Sequence, residues 1–302
     1  MKFSVVMPCH NNADHVAAAL DSIAAQHVVP YEVIVVNDAS TDNSVAVVKQ
    51  TGIASRVINT QCGNAAGARN AGIKIATGDW VAFLDADNTW LPNHLQLGSE
   101  CLSESSDVMY YASDVAAQAE MPEGDVGPRE AYPIDQKTLG LTHRDFIKWR
   151  LYKGWGFPTT GMIARRDRVE QVGGFDESQK RRHDFEFMMR VIHGHTWCTT
   201  PQPTWWSRPP REGNISADTL VCNYYTFRAL KLNEQAYKSD DYDLLMQRSA
   251  LNAIKSAVYS RDKELIAKAR DLTRGHLNLT SRLKMGLFTA APPAWRRFMI
   301  TE

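Results

Sequence analysis

Trp80-Val-Ala-Phe-Leu-Asp-Ala-Asp87 decides how this chain is read. Five apolar residues in succession suit a strand covered on both faces, the kind found in parallel sheets. The run stops at two carboxylates separated by one alanine, with Asn88 next. In open α/β sheets ligands gather at the carboxyl ends of strands. Hard oxygen ligands in that position suit Mn2+ or Mg2+ when a diphosphate supplies the remaining ligands. Taken alone, an Asp-x-Asp pair is also an ordinary acidic surface turn, and its place after a buried strand is what favours the ligand reading.

Working outward, the same alternation recurs. Phe3 to Met7 reads as a strand, and Asn11-Asn12 as the cap of a helix whose apolar residues Val16, Leu20 and Ile23 share one face. Tyr31 to Val36 is a second strand, Arg56 to Asn59 a third, and Ala65 to Ala76 a helix. This βαβα order predicts a mostly parallel central sheet flanked by helices, with right-handed crossovers. The polar clusters at 8–12, 37–43 and 85–89 each follow a strand, so they should meet in one cleft. Downstream, 142–152 and His183 to Ile192 read as helices and Thr159 to Ala164 as a strand. Between them, Ser113 to Leu141 dissolves into Gly, Pro and acidic residues, the pattern of a lid or mobile segment. After Ser216 the spacing of Leu220, Tyr224, Phe227, Leu244, Leu251, Ile254, Val258, Leu265 and Leu272 marks two or three amphipathic helices. The expected organisation is an α/β domain over 1–216 and a C-terminal α-helical appendage over 217–302.

Composition limits the partners. Across 302 residues, 34 Lys+Arg balance 34 Asp+Glu, so no global field draws the chain to nucleic acid or an anionic membrane. Any anionic ligand must be caught locally. Five scattered cysteines without a CxxC pair argue against a disulfide framework or structural zinc and favour a reducing, cytoplasmic setting. No run reaches the roughly 18 apolar residues that a spanning helix needs. The segment from Thr280 to Glu302 mixes Arg282, Lys284, Arg296 and Arg297 with Trp295, Phe298 and Ile300. It suits peripheral contact with the inner face of a membrane, and equally packing against its own domain or a partner.

Three further constellations carry chemistry. Asp38, directly after the second strand, can accept a hydrogen bond from a nucleobase imide, whereas Ser40, Thr41 and Asp42 also suit a turn and helix cap. Gly63 to Gly72 opens a helix with small residues that permit close backbone approach, and Arg69 offers a planar fork of donors. His183-Asp184 begins a helix, where an acidic residue complements the dipole; the functional alternative makes Asp184 a general base.

Six segments in order resemble the family 2 glycosyltransferases, which have the GT-A fold: Ser4 to Asn12, Val35 to Asn43, Gly67 to Gly72, Phe83 to Asp87, Val172 to Asp176 and Arg182 to Asp184. The resemblance covers roughly residues 1–216. It implies an inverting, metal-dependent enzyme that moves one sugar from a nucleotide-sugar donor, expected to be a UDP-sugar, to a saccharide or lipid-linked acceptor in bacterial surface polysaccharide synthesis. It implies that Pro8 and His10, in the segment after the first strand, and Asp38 hold the nucleobase, with Arg69 reaching the base. Asp85 would contact the ribose or sugar, Asp87 the metal, and Asp184 would deprotonate the acceptor hydroxyl. The chain departs from the family pattern in having Asn37 for an acidic residue, His183 for a glutamate, and no histidine near Arg208 to Ser216. There Arg211 or Arg208 would bind the diphosphate instead. Trp155, Thr160 and Trp206 are candidate walls of the acceptor site. The QxxRW motif of processive relatives is missing. Two alternatives stand beside this reading: a catalytically silent nucleotide-sugar or glycan-binding module of the same fold, and a nucleotidyltransferase, which the lack of a Gly-rich, Lys-containing loop after Met7 disfavours. Asp38, Asp85, Asp87 and Asp184 together should make an acidic cleft.

Overall fold

The computed structural model describes residues 1–113, 138–153, 158–200, 202–207, 219–260 and 262–277. The apolar runs form the centre of an eight-stranded sheet in the order β3 (Arg56–Thr60), β2 (Glu32–Asp38), β1 (Phe3–Cys9), β4 (Trp80–Phe83), β8 (Met162–Arg165), β6 (Val108–Ala112), β9 (Thr196–Thr199) and β7 (Thr138–Leu141). From β3 to β4 every pairing is parallel. Beyond β4 the sheet becomes mixed: β8 runs antiparallel to both neighbours, β6 and β9 are parallel, and β7 closes antiparallel. The parallel half is the one read from alternating strands and helices. A second ribbon pairs β5 (Asn88–Trp90) with β10 (Trp205–Ser207) beside the Asp85-Ala-Asp87 turn.

Both faces of the sheet are buried, which explains the nearly unbroken apolar strands. On β1, Val5 and Met7 enter one core with Val33, Val35 and Ala82. Val6 enters the other with Ile34, Val36, Val81 and Phe83. Helix α1 (Val16–Ala24) contributes Val16, Leu20 and Ile23 to the first core, and α2 (Ser44–Thr51) contributes Val48. Helix α3 (Ala65–Ile75) covers the other face and approaches closely through Gly72, where a Cβ would lie 2.5 Å from Val6 Cγ1 and 3.1 Å from Val36 Cγ2.

Two local expectations are corrected. Asn11-Asn12 does not cap α1: the Asn12 carbonyl accepts from His15 and Val16 at 3.0 and 2.9 Å, and its side chain turns back to the His10 carbonyl. Asn11 sits at φ 51°, and its Oδ1 is engaged by Thr41 N at 2.8 Å, so the helix starts only after this turn. The stretch Thr159 to Ala164 is a 3-10 turn, Thr159–Gly161, followed by β8. Gly161 lies so close to the Ser113 carbonyl that a Cβ would be 2.5 Å from it, and the chain straightens only beyond that contact. Of the segment read as irregular from Ser113 to Leu141, Ser113 and the strand β7 fall within the described residues.

Helix α4 (His94–Leu102) packs on β6, and α5 (His143–Lys153) and α6 (Arg166–Gln171) follow β7 and β8. Beyond them, α7 (His183–Ile192) packs on α8 (Thr219–Tyr237), and α9 (Asp240–Ser260) packs on α8, α5 and α10 (Lys263–Leu272). Phe227, Leu230, Tyr237, Tyr242, Leu245 and Met246 from α8 and α9 belong to the same apolar cluster as Phe83, Phe187 and Val6. The C-terminal helices therefore share the core of the sheet. Among the described residues no helix is long and apolar enough to cross a membrane.

Glu32 closes the amino end of β2, at the edge opposite the strand termini that carry the polar loops. Its side chain is 7% exposed, accepts from Ser4 Oγ, Thr77 N and Thr77 Oγ1 at 2.7 Å each, and pairs with Arg56. Desolvation alone would raise this carboxyl; the hydrogen bonds outweigh it and bring it down from 4.5 to about 2. The folded state thus favours the ionised form, and the resulting stability is present above pH 4.5 and lost as the pH falls towards 2. Glu32→Gln should cost roughly 2 kcal/mol at pH 7, allowing for the partly exposed Arg56, and should flatten the acid limb of denaturant-measured stability. An unchanged acid limb would contradict this account.

Candidate active site

The polar loops meet as the strand order requires. The chain after β1 is knitted to the chain after β2: His10 Nδ1 donates to the Asp38 carbonyl at 2.6 Å, Asn11 N to Ser40 Oγ at 3.0 Å and Asn12 N to Ser44 Oγ at 2.8 Å. Asp42 accepts from Ala13 N and Ser44 N at 3.0 and 2.9 Å, so it holds the turn before α2. Pro8 lies in register with Val36. Asp38 is 6% exposed, and its Oδ1 accepts from Thr60 Oγ1 at 3.0 Å and Cys62 N at 2.6 Å. Those bonds anchor the carboxylate towards β3.

Arg69 lies on the buried face of α3, 3% exposed. Its Nη2 pairs with Asp85 Oδ1, its Nη1 donates to His183 Nε2 at 2.7 Å, and its guanidinium carbon is 5.5 Å from the centre of the Phe175 ring. A guanidinium can only donate, so His183 Nε2 accepts and the ring proton is assigned to Nδ1. Burial first, then the Arg69 charge, push His183 down to about 4, and the ring is neutral at pH 7. Arg69, Asp85 and His183 thereby join α3, the turn after β4 and the start of α7.

The same neighbourhood explains the Val172-Gly-Gly-Phe-Asp176 segment. Asn70 Oδ1 accepts from Phe175 N at 2.8 Å, and Nδ2 donates to the Phe175 carbonyl at 2.9 Å and to Glu177 at 3.0 Å. Gly174 has φ 71°, and a Cβ there would meet Asn70 Oδ1 at 2.5 Å. Phe175 stacks on Phe187 of α7 with centroids 4.0 Å apart. Arg190, paired with buried Glu186 at 2.6 Å, donates to the Val172 and Gly174 carbonyls at 2.6 and 2.8 Å. Helix α7 is therefore clamped from both ends of this turn.

At its first turn, Asp184 Oδ1 accepts from Phe185 N at 2.8 Å. Two groups that carry no sequence motif, Tyr110 and Arg150, act on Asp184. Tyr110 of β6 is fully buried, its hydroxyl has no partner among the described residues, and burial together with the Asp184 charge raises it well above the ordinary phenol range. Arg150 of α5 lies over Phe185, 5.6 Å from the ring centre. Desolvation first and the nearby Arg182 next bring Arg150 down to about 10, against the attraction of Asp184. Tyr110 and Arg150 come from two elements distant in sequence from Asp184, and no local pattern could have singled them out. The expected acidic cleft is accordingly corrected: Arg69, Arg150 and Arg182 stand among its carboxylates.

Asp87 is half-buried at the end of the Asp85-Ala-Asp87 turn. Thr160 holds this turn: its Oγ1 accepts from Asn88 Nδ2 at 2.8 Å and its carbonyl from Trp90 Nε1 at 2.8 Å. Thr160 is itself fully buried, so it supports the turn and does not line an acceptor wall. Trp206, half-buried on β10 and paired in register with Thr89, keeps its indole Nε1 without a partner among the described residues. Trp155, Arg208 and Arg211 lie outside the described residues. No group of three His, Cys, Asp or Glu able to hold a metal occurs among the described residues. With Asp85 engaged by Arg69, the donor set fits a hard cation only if most of its ligands come from a bound diphosphate.

Arg69→Gln removes the cation from a site where Asp85 is 29% exposed, so the orphaned carboxylate can partly rehydrate. A loss of roughly 2 kcal/mol in urea unfolding is expected, below the 3–5 typical of a fully buried pair. His183, relieved of the neighbouring charge, should titrate nearer 6.5 by NMR. A His183 still titrating near 4 would show that Arg69 is not a cause.

The family model described as "Glycosyl transferase family 2" matches residues 4–120. The chain is 30% identical over 195 residues to "Uncharacterized glycosyltransferase YwdF" of Bacillus subtilis, covering 63% of this chain and 68% of that protein. It is 28% identical over 198 residues to "Amylovoran biosynthesis glycosyltransferase AmsB" of Erwinia amylovora, covering 63% and 64%. Among solved structures, S. aureus TarS 1-349 in complex with UDP-GlcNAc superposes with TM-score 0.72 at 17% identity, over 99% of this chain and 88% of that one. Mannosyltransferase PcManGT from Pyrobaculum calidifontis, in complex with GDP-Man and Mn2+, superposes with TM-score 0.59 at 17% identity, over 99% and 83%.

Proposed function

The chain belongs to glycosyl transferase family 2 and is a glycosyltransferase of GT-A fold, and on that premise we propose that it transfers a single sugar with inversion from a UDP-sugar to a hydroxyl of a saccharide or lipid-linked acceptor. The observation that carries this reading is the Arg69 bridge, which joins the Asp85-Ala-Asp87 turn to the helix start bearing Asp184. Relatives named for amylovoran biosynthesis and neighbours bound to UDP-GlcNAc and GDP-Man support a nucleotide-sugar donor and a role in bacterial surface polysaccharide synthesis.

In this mechanism the carboxyl ends of β1 and β2 and the loops that follow them, with Pro8, His10 and Asp38, receive the nucleoside, and Arg69 keeps Asp85 directed at the ribose or sugar. Asp87 would hold Mn2+ or Mg2+, which supplies neutralisation of the leaving diphosphate. Asp184 accepts the proton of the acceptor hydroxyl as its oxygen attacks the anomeric carbon and the bond from that carbon to the diphosphate oxygen breaks. The Phe185 amide donates to Asp184 Oδ1 and orients the carboxylate at the start of α7. His183, neutral and oriented by Arg69, acts as a positioning residue for the pair of turns. Trp206 is offered as an apolar face for the acceptor sugar, and Arg211 as a further diphosphate contact. Residues 1–216 are taken as the catalytic region and 217–302 as its helical extension, with the basic, aromatic segment after Thr280 as the part that meets a lipid surface.

Asp184→Asn should lower transfer by at least about a thousandfold, near the usual range for a lost general base, while UDP affinity by calorimetry stays within a few-fold. An active variant would move the base elsewhere. Asp87→Ala should remove the response of transfer to added Mn2+ after EDTA treatment, and persistence of that response would contradict the assignment.

A further inference from the structure

Behind the Asp85-Ala-Asp87 turn lies a row of buried polar side chains that the proposed chemistry does not use. His94, at the start of α4, is fully buried, and its ring stacks on the Trp90 indole with centroids 4.3 Å apart. Its Nδ1 is 2.7 Å from Thr204 Oγ1, which is 2.6 Å from Ser113 Oγ, and Ser113 Oγ is 3.3 Å from the Gly161 carbonyl. Thr204 and Ser113 are fully buried as well. A carbonyl oxygen can only accept, and that fixes the direction of each proton in the row. The Ser113 hydroxyl donates to Gly161, the Thr204 hydroxyl to Ser113, and His94 Nδ1–H to Thr204. His94 Nε2 is then a bare acceptor, buried and without a partner among the described residues. Burial brings the ring down to about 3, so it is neutral at pH 7.

Both ends of the row bear on the acidic turn. At the Gly161 end, the Ser113 amide adds a second bond to the Gly161 carbonyl at 3.0 Å. The residue before, Thr160, accepts through Oγ1 from Asn88 Nδ2 at 2.8 Å and from the Asp85 amide at 3.4 Å. At the His94 end, the stacked Trp90 indole donates to the Thr160 carbonyl at 2.8 Å. The Thr204 carbonyl also accepts from Leu91 N at 2.8 Å, just before β10 pairs Trp205 with Trp90 and Trp206 with Thr89. His94 thus reaches Thr160 by two routes, one through an aromatic stack and one through two hydroxyls. Partners outside the coordination sphere that orient metal ligands are arranged in this way. We infer that His94 is a positioning residue for the Asp85-Ala-Asp87 turn, holding it in the geometry in which Asp87 and a nucleoside diphosphate together take a divalent cation. This rests on Asp87 as the metal ligand and adds to that reading a residue that touches neither substrate nor metal.

Calorimetric titration of UDP into the full chain, once in Mn2+ and once in EDTA, separates this role from core packing alone. His94→Phe keeps a ring against Trp90 and removes the donor. UDP should then bind about tenfold more weakly in Mn2+ and within about twofold of wild type in EDTA. Thr204→Val removes the hydroxyl at nearly the same shape, should give the same split, and supplies a second reading if the His94→Phe chain does not fold. His94→Asn, whose amide can donate from near the Nδ1 position, should recover most of the Mn2+-dependent affinity. Wild-type affinity of both His94→Phe and Thr204→Val in Mn2+ would overturn the proposal. So would equal losses with and without the metal, the mark of a packing residue. If Mn2+ does not tighten UDP in the wild-type chain, the metal reading of Asp87 falls by itself, and exchange of the Trp90 indole proton by NMR decides the positioning claim. That exchange should be about tenfold faster in Thr204→Val, and an unchanged rate would overturn the assignment of His94.

Discussion

The Arg69 guanidinium is the point on which the site depends. A buried cation is tolerable only where its donors are engaged. Here one arm engages Asp85 after β4 and the other His183 at the start of α7, the ring of Phe175 covers its face, and Nε is left without a partner among the described residues. Three segments more than a hundred residues apart at the extremes are thereby held in one geometry. Arg69 gives its neighbours fixed roles: His183, held down first by its own burial and then by the Arg69 charge, is kept as a neutral acceptor, and Asp85 is paired with the guanidinium. Asn70, the next residue on α3, fixes the backbone of Phe175 by two hydrogen bonds and reaches the Glu177 side chain by a third. Adjacent residues of one helix thus organise the turn after β4 on one side and the approach to α7 on the other.

Much of this was legible from the chain alone because the parallel half of the fold is written in local patterns. Doubly covered strands leave unbroken apolar runs such as Val81 to Leu84, and the loops that follow them must carry the ligand-facing groups. The small-residue helix signalled close approach, and Gly72 against Val6 is that approach. The mixed half left weaker traces, since β8 and β6 enter by antiparallel and long-range pairings that no periodicity announces. Asn11-Asn12 misled because an asparagine that caps a helix and one that stabilises a left-handed turn look alike in sequence. Thr160 misled in the opposite direction: its neighbours suggested a wall of the site, whereas its hydroxyl is spent inside the turn that carries Asp87.

Net neutrality conceals an uneven distribution. The carboxylates were visible in motifs, Asp38, Asp85 and Asp87 at strand ends and Asp184 at the start of α7, whereas Arg150 reaches the same cleft from α5. Charges that arrive by tertiary packing cannot be located by counting. The outcome is a cleft of paired signs, with Arg69 and Asp85 on the nucleotide-facing side and Arg150, Arg182 and Asp184 on the other. Such pairing supports local recognition of anions without the long-range attraction that a uniformly basic surface would exert.

The apolar cluster that runs from Val6 through Phe187 to Tyr242 and Met246 has a thermodynamic meaning beyond architecture. Where two regions of a chain bury their side chains in one another, neither can lose its order while the other keeps it. The C-terminal helices and the sheet should melt as one cooperative unit, with a single calorimetric transition for the described body. Substitutions in α8 or α9, far from the cleft, then act on catalysis through the fraction of molecules that are folded, and would lower the yield of active protein while sparing the affinity of each surviving molecule for its substrates.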